Sequence, residues 1–389
     1  MDSSKRVEAS FDFLQILGTD IGLHIMNYVN DPADVVRASI VSRNWRDFVV
    51  TNEFAKALCL KAFPQLADIG IVPETMNRLN DETSADWETL LWDQKIYASL
   101  HHAVLKSASP LKDCVITAVS ASSTDKLPDE SIANTLTSMD RYFHKASYWS
   151  SKGTADPDEP ETLIYKLRPG VWVISEVLVR PFEAYFQPGN PIYSAQAVRF
   201  RLGRMKPSLG DGNDLHRLPM PAPADDKFIW TYTSPEFPMN QENSLQSFKL
   251  PEPVVSTGGF MLVELLGRVQ SQGSDGLFYV CICHVRAMGR SLSPAFEIEY
   301  VGAGRKMMLK HRPEHLKSVL ESPPVTVNAR AWNEKQQLWW EGSAAVVRRE
   351  IDFDLPLIGE MGNDGPREFL WSQDMASWPR DYDEDEEEE

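Results

Sequence analysis

Cysteine is scarce in this 389-residue sequence, and the four present, Cys59, Cys114, Cys281 and Cys283, form no CxxC pair. That pattern excludes a disulfide framework, so reduced thiols are expected. Long apolar runs are missing too. No stretch approaches the roughly 18 residues of a membrane span, and the opening "MDSSKRVEASFDFLQIL" lacks the apolar segment of a signal peptide. The chain reads as a protein of the cytoplasm or nucleus with no membrane partner. Positive charge is the third shortage: 39 Lys and Arg face 56 Asp and Glu, a formal net charge of -17. Because nucleic-acid affinity comes largely from clustered cations displacing counterions, no nucleic-acid partner is expected. Much of the excess is local, since all but one residue of "DYDEDEEEE", 381–389, is a carboxylate, and this tail reads as disordered.

Catalytic and cofactor signatures are also missing. There is no GxSxG nucleophile turn, no GxGxxG and no GxxxxGK[ST], and "GDGND", Gly210 to Asp214, lacks the alternation and distal Glu of a calcium loop. "HRPEH" gives His311 and His315 the i, i+4 spacing of a metal pair. Pro313 interrupts any helix there, so surface histidines are expected. "CICH" has metal-ligand residue types, but on a strand Cys281 and Cys283 share a face that His284 does not, which favours core cysteines. Asp156 and Asp158 lie in "GTADPDEPE" and read as solvated loop acids. The sequence therefore implies no cofactor, no metal and no catalysis of its own.

What is present divides into two characters. From 11 to 64 the pattern is helical with short loops. Ile21, Ile25 and Val29 recur at i, i+4, i+8, giving a first helix after Thr19 or Asp20 that stops near Asn30. Asp31 caps a second helix with Pro32 at its first position, where the missing N–H costs nothing. Ser42 caps a third carrying Trp45 and Phe48, and Asn52 opens a fourth with Phe54, Leu58 and Cys59. So small a unit buries little surface and calls for a partner or a neighbouring segment. Residues 65–110 form a linker whose stretch 84–106, with Trp87, Leu90, Leu91, Tyr97, Leu100, Val104 and Leu105, makes one amphipathic helix.

Beyond it, β-branched and aromatic runs alternate with Gly, Pro and Asn turns. Strands are expected at 115–120, 162–167, 172–180, 197–203, 229–233, 259–268 and 278–287, so 111–292 reads as an antiparallel sandwich or jelly roll. Residues 207–227 read as a long surface loop. An extension over 293–380, with a strand at 296–301, a short helix at 313–321 and Trp332, Trp339 and Trp340, packs on the sandwich. The class is α+β with several domains. In "ASYWSSKG", Tyr148, Trp149 and Lys152 form a candidate ligand loop offering aromatic faces to a sugar or peptide; the bland alternative has Trp149 plugging the sandwich end.

The helical stretch "LGTDIGLHIMNYVNDPADVVRASIVSRNWRDFV" resembles the F-box family, whose pattern runs Leu-Pro-x-Asp, an apolar helix, a loop and a Val-Ser-x-x-Trp core. Leu17, Asp20, Ile21, Ile25, Val29, Val35, Ala38, Val41, Ser42, Arg43, Trp45 and Phe48 fall on that pattern, while Gly18 stands where the family has proline. The resemblance implies docking on the Skp adaptor of a cullin-scaffolded ubiquitin ligase through Leu17, Asp20, Ile21, Ile25, Pro32, Val35, Val36 and Val41, with Trp45 and Phe48 as core. The remainder resembles plant F-box proteins with a β-rich region. "VSASSTDKLPDESIANTL", "SYWSSKG", "PETLIYKL" and "FYVCICHVRAMG" are similar in order to landmarks of galactose-binding-like, discoidin-type sandwiches. The implied role is a substrate receptor that recruits a protein target through the sandwich. The rival is a binding module outside any ligase, reading a glycan or peptide.

Overall fold

The computed structural model describes residues 12–73, 82–139, 141–142, 145–206, 224–302 and 306–321. The expectations for Trp332, Trp339, Trp340, the acidic tail and most of 207–227 lie outside these residues.

Four helices come first: α1 (Phe13–Met26), α2 (Pro32–Ser39), α3 (Arg43–Thr51) and α4 (Phe54–Ala62). Two caps are the expected ones. Asp31 Oδ1 accepts from the Ala33 amide at 2.8 Å with Pro32 at the first helical position, and Ser42 Oγ accepts from the Trp45 amide at 3.2 Å. The other two differ. Helix α1 starts ahead of Thr19, on Asp12, and is interrupted by Gly18 at φ 74° and ψ 165°, so the predicted cap lies within a kinked helix. Proline, fixed near φ of about -65°, cannot adopt that bend. Asn52 does not open α4; its Nδ2 donates back to the Phe48 carbonyl at 2.7 Å and closes α3. Glu53, left-handed at φ 49°, precedes α4 without a side-chain cap, and the free amide of Ala55 is met instead by Gln94 Oε1 at 3.3 Å.

The chain continues through β1 (Gly70–Ile71), α5 (Glu82–Lys106), β2 (Lys112–Asp113), β3 (Val115–Ala121), β4 (Trp149–Ser150), β5 (Glu161–Leu167), β6 (Trp172–Glu183), β7 (Ile192–Tyr193) and β8 (Ala195–Met205). After α6 (Ala224–Lys227) come β9 (Phe228–Thr233), β10 (Phe237–Pro238), β11 (Gln246–Ser256), β12 (Gly259–Arg268), β13 (Gln270–Ser271), β14 (Phe278–Tyr279) and β15 (Cys281–Ser291). β16 (Phe296–Val301), β17 (Lys306–His311) and α7 (Leu316–Glu321) complete the described part.

Two antiparallel sheets make a sandwich. One runs β10-β8-β12-β5-β3 with β9 also on β8, and the other β11-β6-β15-β2 with β4 on β15 and β7 on β6. Period-two alternation sends Leu163, Tyr165 and Leu167 of β5, Val198, Phe200 and Leu202 of β8, and Met261, Val263 and Leu265 of β12 into the core between them. Ile174, Val177 and Val179 of β6 face them with Ile282, Val285 and Ala287 of β15. Strand β11 was not expected. Pro251 and Pro253 interrupt its pattern, and the register breaks between Lys249 and Val254, which an edge strand tolerates. Gly203 permits the close approach of β9, since a Cβ there would stand 2.1 Å from the Ile229 carbonyl oxygen.

A second core joins the helical unit to the sandwich. Val35, Trp45, Val49, Phe54 and Cys59 from the helices meet Ile96, Leu100 and Ala103 of α5, then Val171, Val173, Val255 and Leu292 from one end of the sandwich. Phe296, Leu309 and Val319 close it from the three-stranded sheet β1-β17-β16 and from α7. Helix α5, expected as a connector, therefore runs through a shared interior, with Ile96 and Leu100 fully buried. Expected at the surface, His311 is instead 7% exposed, against the rings of Phe296 and Trp92, because β17 carries it inward; His315 is partly exposed in a separate turn. All four cysteines are free and buried, and burial raises the Cys59, Cys114 and Cys281 thiols to about 12.

Candidate functional site

The helical unit leaves an apolar surface uncovered. Of the large apolar side chains exposed among the described residues, eight fall between Ile16 and Val41: Ile16, Leu17, Ile21, Ile25, Tyr28, Val36, Ile40 and Val41. Isolated exposed hydrophobics are ordinary, but a concentration within so short a stretch marks a docking surface. The expected docking set separates. Leu17, Asp20, Ile21, Ile25, Val36 and Val41 are exposed, whereas Val35, at 1%, is buried in the second core and Pro32 is buried at the start of α2. Adjacent helical residues stand about 100° apart, so Val35 and Val36 cannot serve one face. Trp45 and Phe48 pack in that core. Ile16, Tyr28 and Ile40 escaped sequence reasoning. Ile40 directly precedes Val41 in the turn after α2, and two consecutive apolar residues in a turn were the available signal.

Strand direction sets the far end of the sandwich. β6 starts and β11 and β15 finish beside the second core, so β6 ends and β15 begins at the opposite end, with the loops around 122–160, the β6–β7 hairpin and the β13–β14 hairpin. A buried ion pair ties these loops together. Arg268 Nη2 meets Glu161 Oε1 at 2.7 Å, with both side chains almost fully buried. Arg268 also donates to the Lys152 and Phe278 carbonyls at 2.7 and 3.1 Å, to Ser151 Oγ at 3.0 Å and to the Glu159 carbonyl at 3.2 Å. Glu161 accepts in turn from Ser122 and Ser123. A buried pair so fully hydrogen-bonded fixes geometry more than it adds stability.

The expected ligand loop is corrected here. Trp149 has no exposed surface; its ring lies in the sandwich core and its Nε1 donates to the Ser123 carbonyl at 3.0 Å. A buried indole needs such a partner, and this one pins the loop rather than a ligand. Tyr148 is partly buried, stacked on Phe182 with ring centroids 3.8 Å apart. Its hydroxyl donates to Glu130 Oε1 at 3.0 Å, and burial together with that carboxylate raises its ionisation far above the ordinary tyrosine range. Lys152 alone of the three is exposed.

Residues 17–61 match the F-box-like family. An F-box protein of Arabidopsis thaliana, At4g00755, is 46% identical over 307 residues, 77% of this chain and 81% of the relative. The chain belongs to the F-box protein family. Solved structures similar to it include the family 32 carbohydrate-binding module of Clostridium perfringens NanJ, in complex with galactose, at 12% identity and a TM-score of 0.27 over 44% of this chain and 98% of that one. The F5/8 type C domain of a Bacteroides fragilis protein is similar at 12% identity and a TM-score of 0.28, covering 45% of this chain and 97% of that one.

As an F-box protein the chain falls in a class of adaptors that are generally non-catalytic, and its box implies binding of the Skp subunit. The F-box match ends at residue 61, near the end of α4, although the core that completes those helices extends through α5 to α7. Among the described residues no helix is long and apolar enough to cross a membrane.

Proposed function

We propose that this F-box protein is the substrate-receptor subunit of a cullin-scaffolded ubiquitin ligase, working in the cytoplasm or nucleus. Leu17, Ile21, Ile25, Val36 and Val41 dock the Skp adaptor, with Asp20 beside them, and Val35 and Pro32 hold that face in shape from behind. The sandwich recruits a protein target with its far loops. Catalysis belongs to other subunits, and this chain contributes proximity, raising the concentration of the target's lysines near the conjugating enzyme. The observation that supports this reading is the apolar concentration from Ile16 to Val41 on the exposed side of the helical unit. Burying such a face stabilises a complex by roughly 25 cal/mol per Å² of apolar area.

The test is a pull-down of the full chain with purified Skp adaptor beside a Leu17→Asp/Ile21→Asp/Val36→Asp triple variant. Folding of both is checked by circular dichroism. Capture of the wild type and loss in a folded variant are expected. A folded wild type that captures no adaptor refutes the receptor reading.

A further inference from the structure

The far end of the sandwich carries an aromatic group that its own core does not use. Tyr185 and Phe186 stand at the tip of the β6–β7 hairpin, 39% and 54% exposed. The tip is firmly built: the Gln187 amide donates to the Ala184 carbonyl and the Asn190 amide to the Gln187 carbonyl, and the Tyr193 hydroxyl donates to Gln187 Oε1 at 2.7 Å. From there the rings run inward without a break. Phe186 lies 5.4 Å from Tyr185 and 6.5 Å from Tyr148, which stacks on the buried Phe182.

Two observations give this surface a chemical preference. A cation already sits on it, since the Arg141 guanidinium lies 4.4 Å from the centre of the Tyr185 ring. Directly behind Tyr148, Glu130 is only 8% exposed; its Oε1 accepts the Tyr148 hydroxyl while its Oε2 is buried with no hydrogen-bond partner. Asp125 and Asp129 add negative charge beside it, opposed by Lys126. That oxygen is enclosed and burial raises the Glu130 carboxyl, so the group favours a cation through its field, together with the exposed Asp125 and Asp129, and not by direct contact.

We propose that this end of the sandwich binds a protein segment that presents lysine or arginine next to an apolar side chain. The apolar group packs on Phe186, and the cation lies over the aromatic faces beside Glu130, Asp125 and Asp129. The proposal deepens the receptor reading by naming the chemical class of its target, and it rests on that reading only for the consequence of binding. A neutral sugar would satisfy the rings and leave the carboxylates unmatched.

The test uses the full chain and fluorescence anisotropy with three probes: short peptides carrying Lys or Arg on both sides of one Leu or Phe, the same peptides with Glu in place of each cation, and a galactose-terminated oligosaccharide. The cationic peptides bind, more weakly at high salt, and the charge-reversed set does not. Tyr185→Ala/Phe186→Ala weakens binding by about tenfold or more. Glu130→Gln keeps an acceptor for Tyr148, removes the charge and weakens binding by a smaller factor. Failure of every cationic peptide to bind, equal binding of the charge-reversed set, unchanged affinity in the hairpin variant, or glycan binding that the hairpin variant abolishes would each overturn the proposal. The same variants are tested against the Skp adaptor, which all of them retain. Cationic binding by a wild type that captures no adaptor leaves this site standing while the receptor reading falls.

Discussion

The helical unit and the sandwich solve the same problem of apolar surface in opposite ways. In the sandwich, the inward residues of β5, β8 and β12 share one core with those of β6 and β15, and Ile132 from the segment after β3 joins them. The helical unit closes nothing alone. Its inner face is completed by α5, by sheet β1-β17-β16, by α7 and by one end of the sandwich, while its outer face keeps Ile21, Ile25, Ile40 and Val41 in solvent. One region is closed within its own fold, and the other is completed on its inner face by the rest of the described chain and left open on its outer face. The contrast shows where stability and where association reside.

The sharpest break on the sandwich side is Arg268→Met. Removing one member of a buried, fully hydrogen-bonded pair leaves Glu161 charged and unpaired, an expected loss of about 3–5 kcal/mol in chemical denaturation. The double variant Arg268→Met/Glu161→Leu should recover much of that loss; a loss of under about 1 kcal/mol in the single variant would mean water reaches Glu161. On the helical side, two neighbours separate core from surface. Val35→Asp places a carboxylate in the second core and should abolish cooperative folding, whereas Val36→Asp should change stability by within about 0.5 kcal/mol yet remove adaptor binding. Thermal denaturation and pull-down on both variants read the two effects.

Acid sharpens the comparison further. His311 is held down to about 4 and His101 is lowered, both mainly by burial; His284 of β15, against the Thr135 carbonyl, is lowered by burial too. Each is neutral when folded and charges more readily when unfolded. Their contribution is therefore complete above about pH 6.5 and is lost as pH falls below it, for His311 down to about 4. Thermal midpoints measured from pH 7.5 to 4.5 should drop, and His311→Leu should drop less; parallel profiles would show that His311 is not responsible. The smallest expected effect is at Gly18, where a Cβ meets nothing within 4 Å but φ is 74°. Gly18→Ala should cost about 1 kcal/mol through backbone strain alone. A neutral result by denaturation would show that the turn relaxes.

The sequence was most legible where a side chain acts on its own neighbourhood. Asp31, Pro32 and Ser42 mark their helix starts because caps are local, and β12 spans the Gly259–Arg268 stretch expected for it. It was least legible where a distant segment supplies the missing partner. Nothing near Ala55 announces that Gln94 will meet its amide, and nothing in "HRPEH" shows that Phe296 and Trp92 will enclose His311. Trp149 was ambiguous for the same reason, since the Ser123 carbonyl that accepts its N–H comes from a different loop. The prolines of β11 hid a strand because they carry an edge signal within a strand pattern.

Antiparallel strands that begin or end on the second core have a consequence for reach. β15 is 11 residues long, and at roughly 3.3 Å per residue it spans about 36 Å between the core that holds the helical unit and the loops at the other end. With no flexible tether between them among the described residues, that span acts as a ruler. A bound target would be held at one fixed standoff, and which of its lysines are presented would follow from its own shape and not from the swing of an arm.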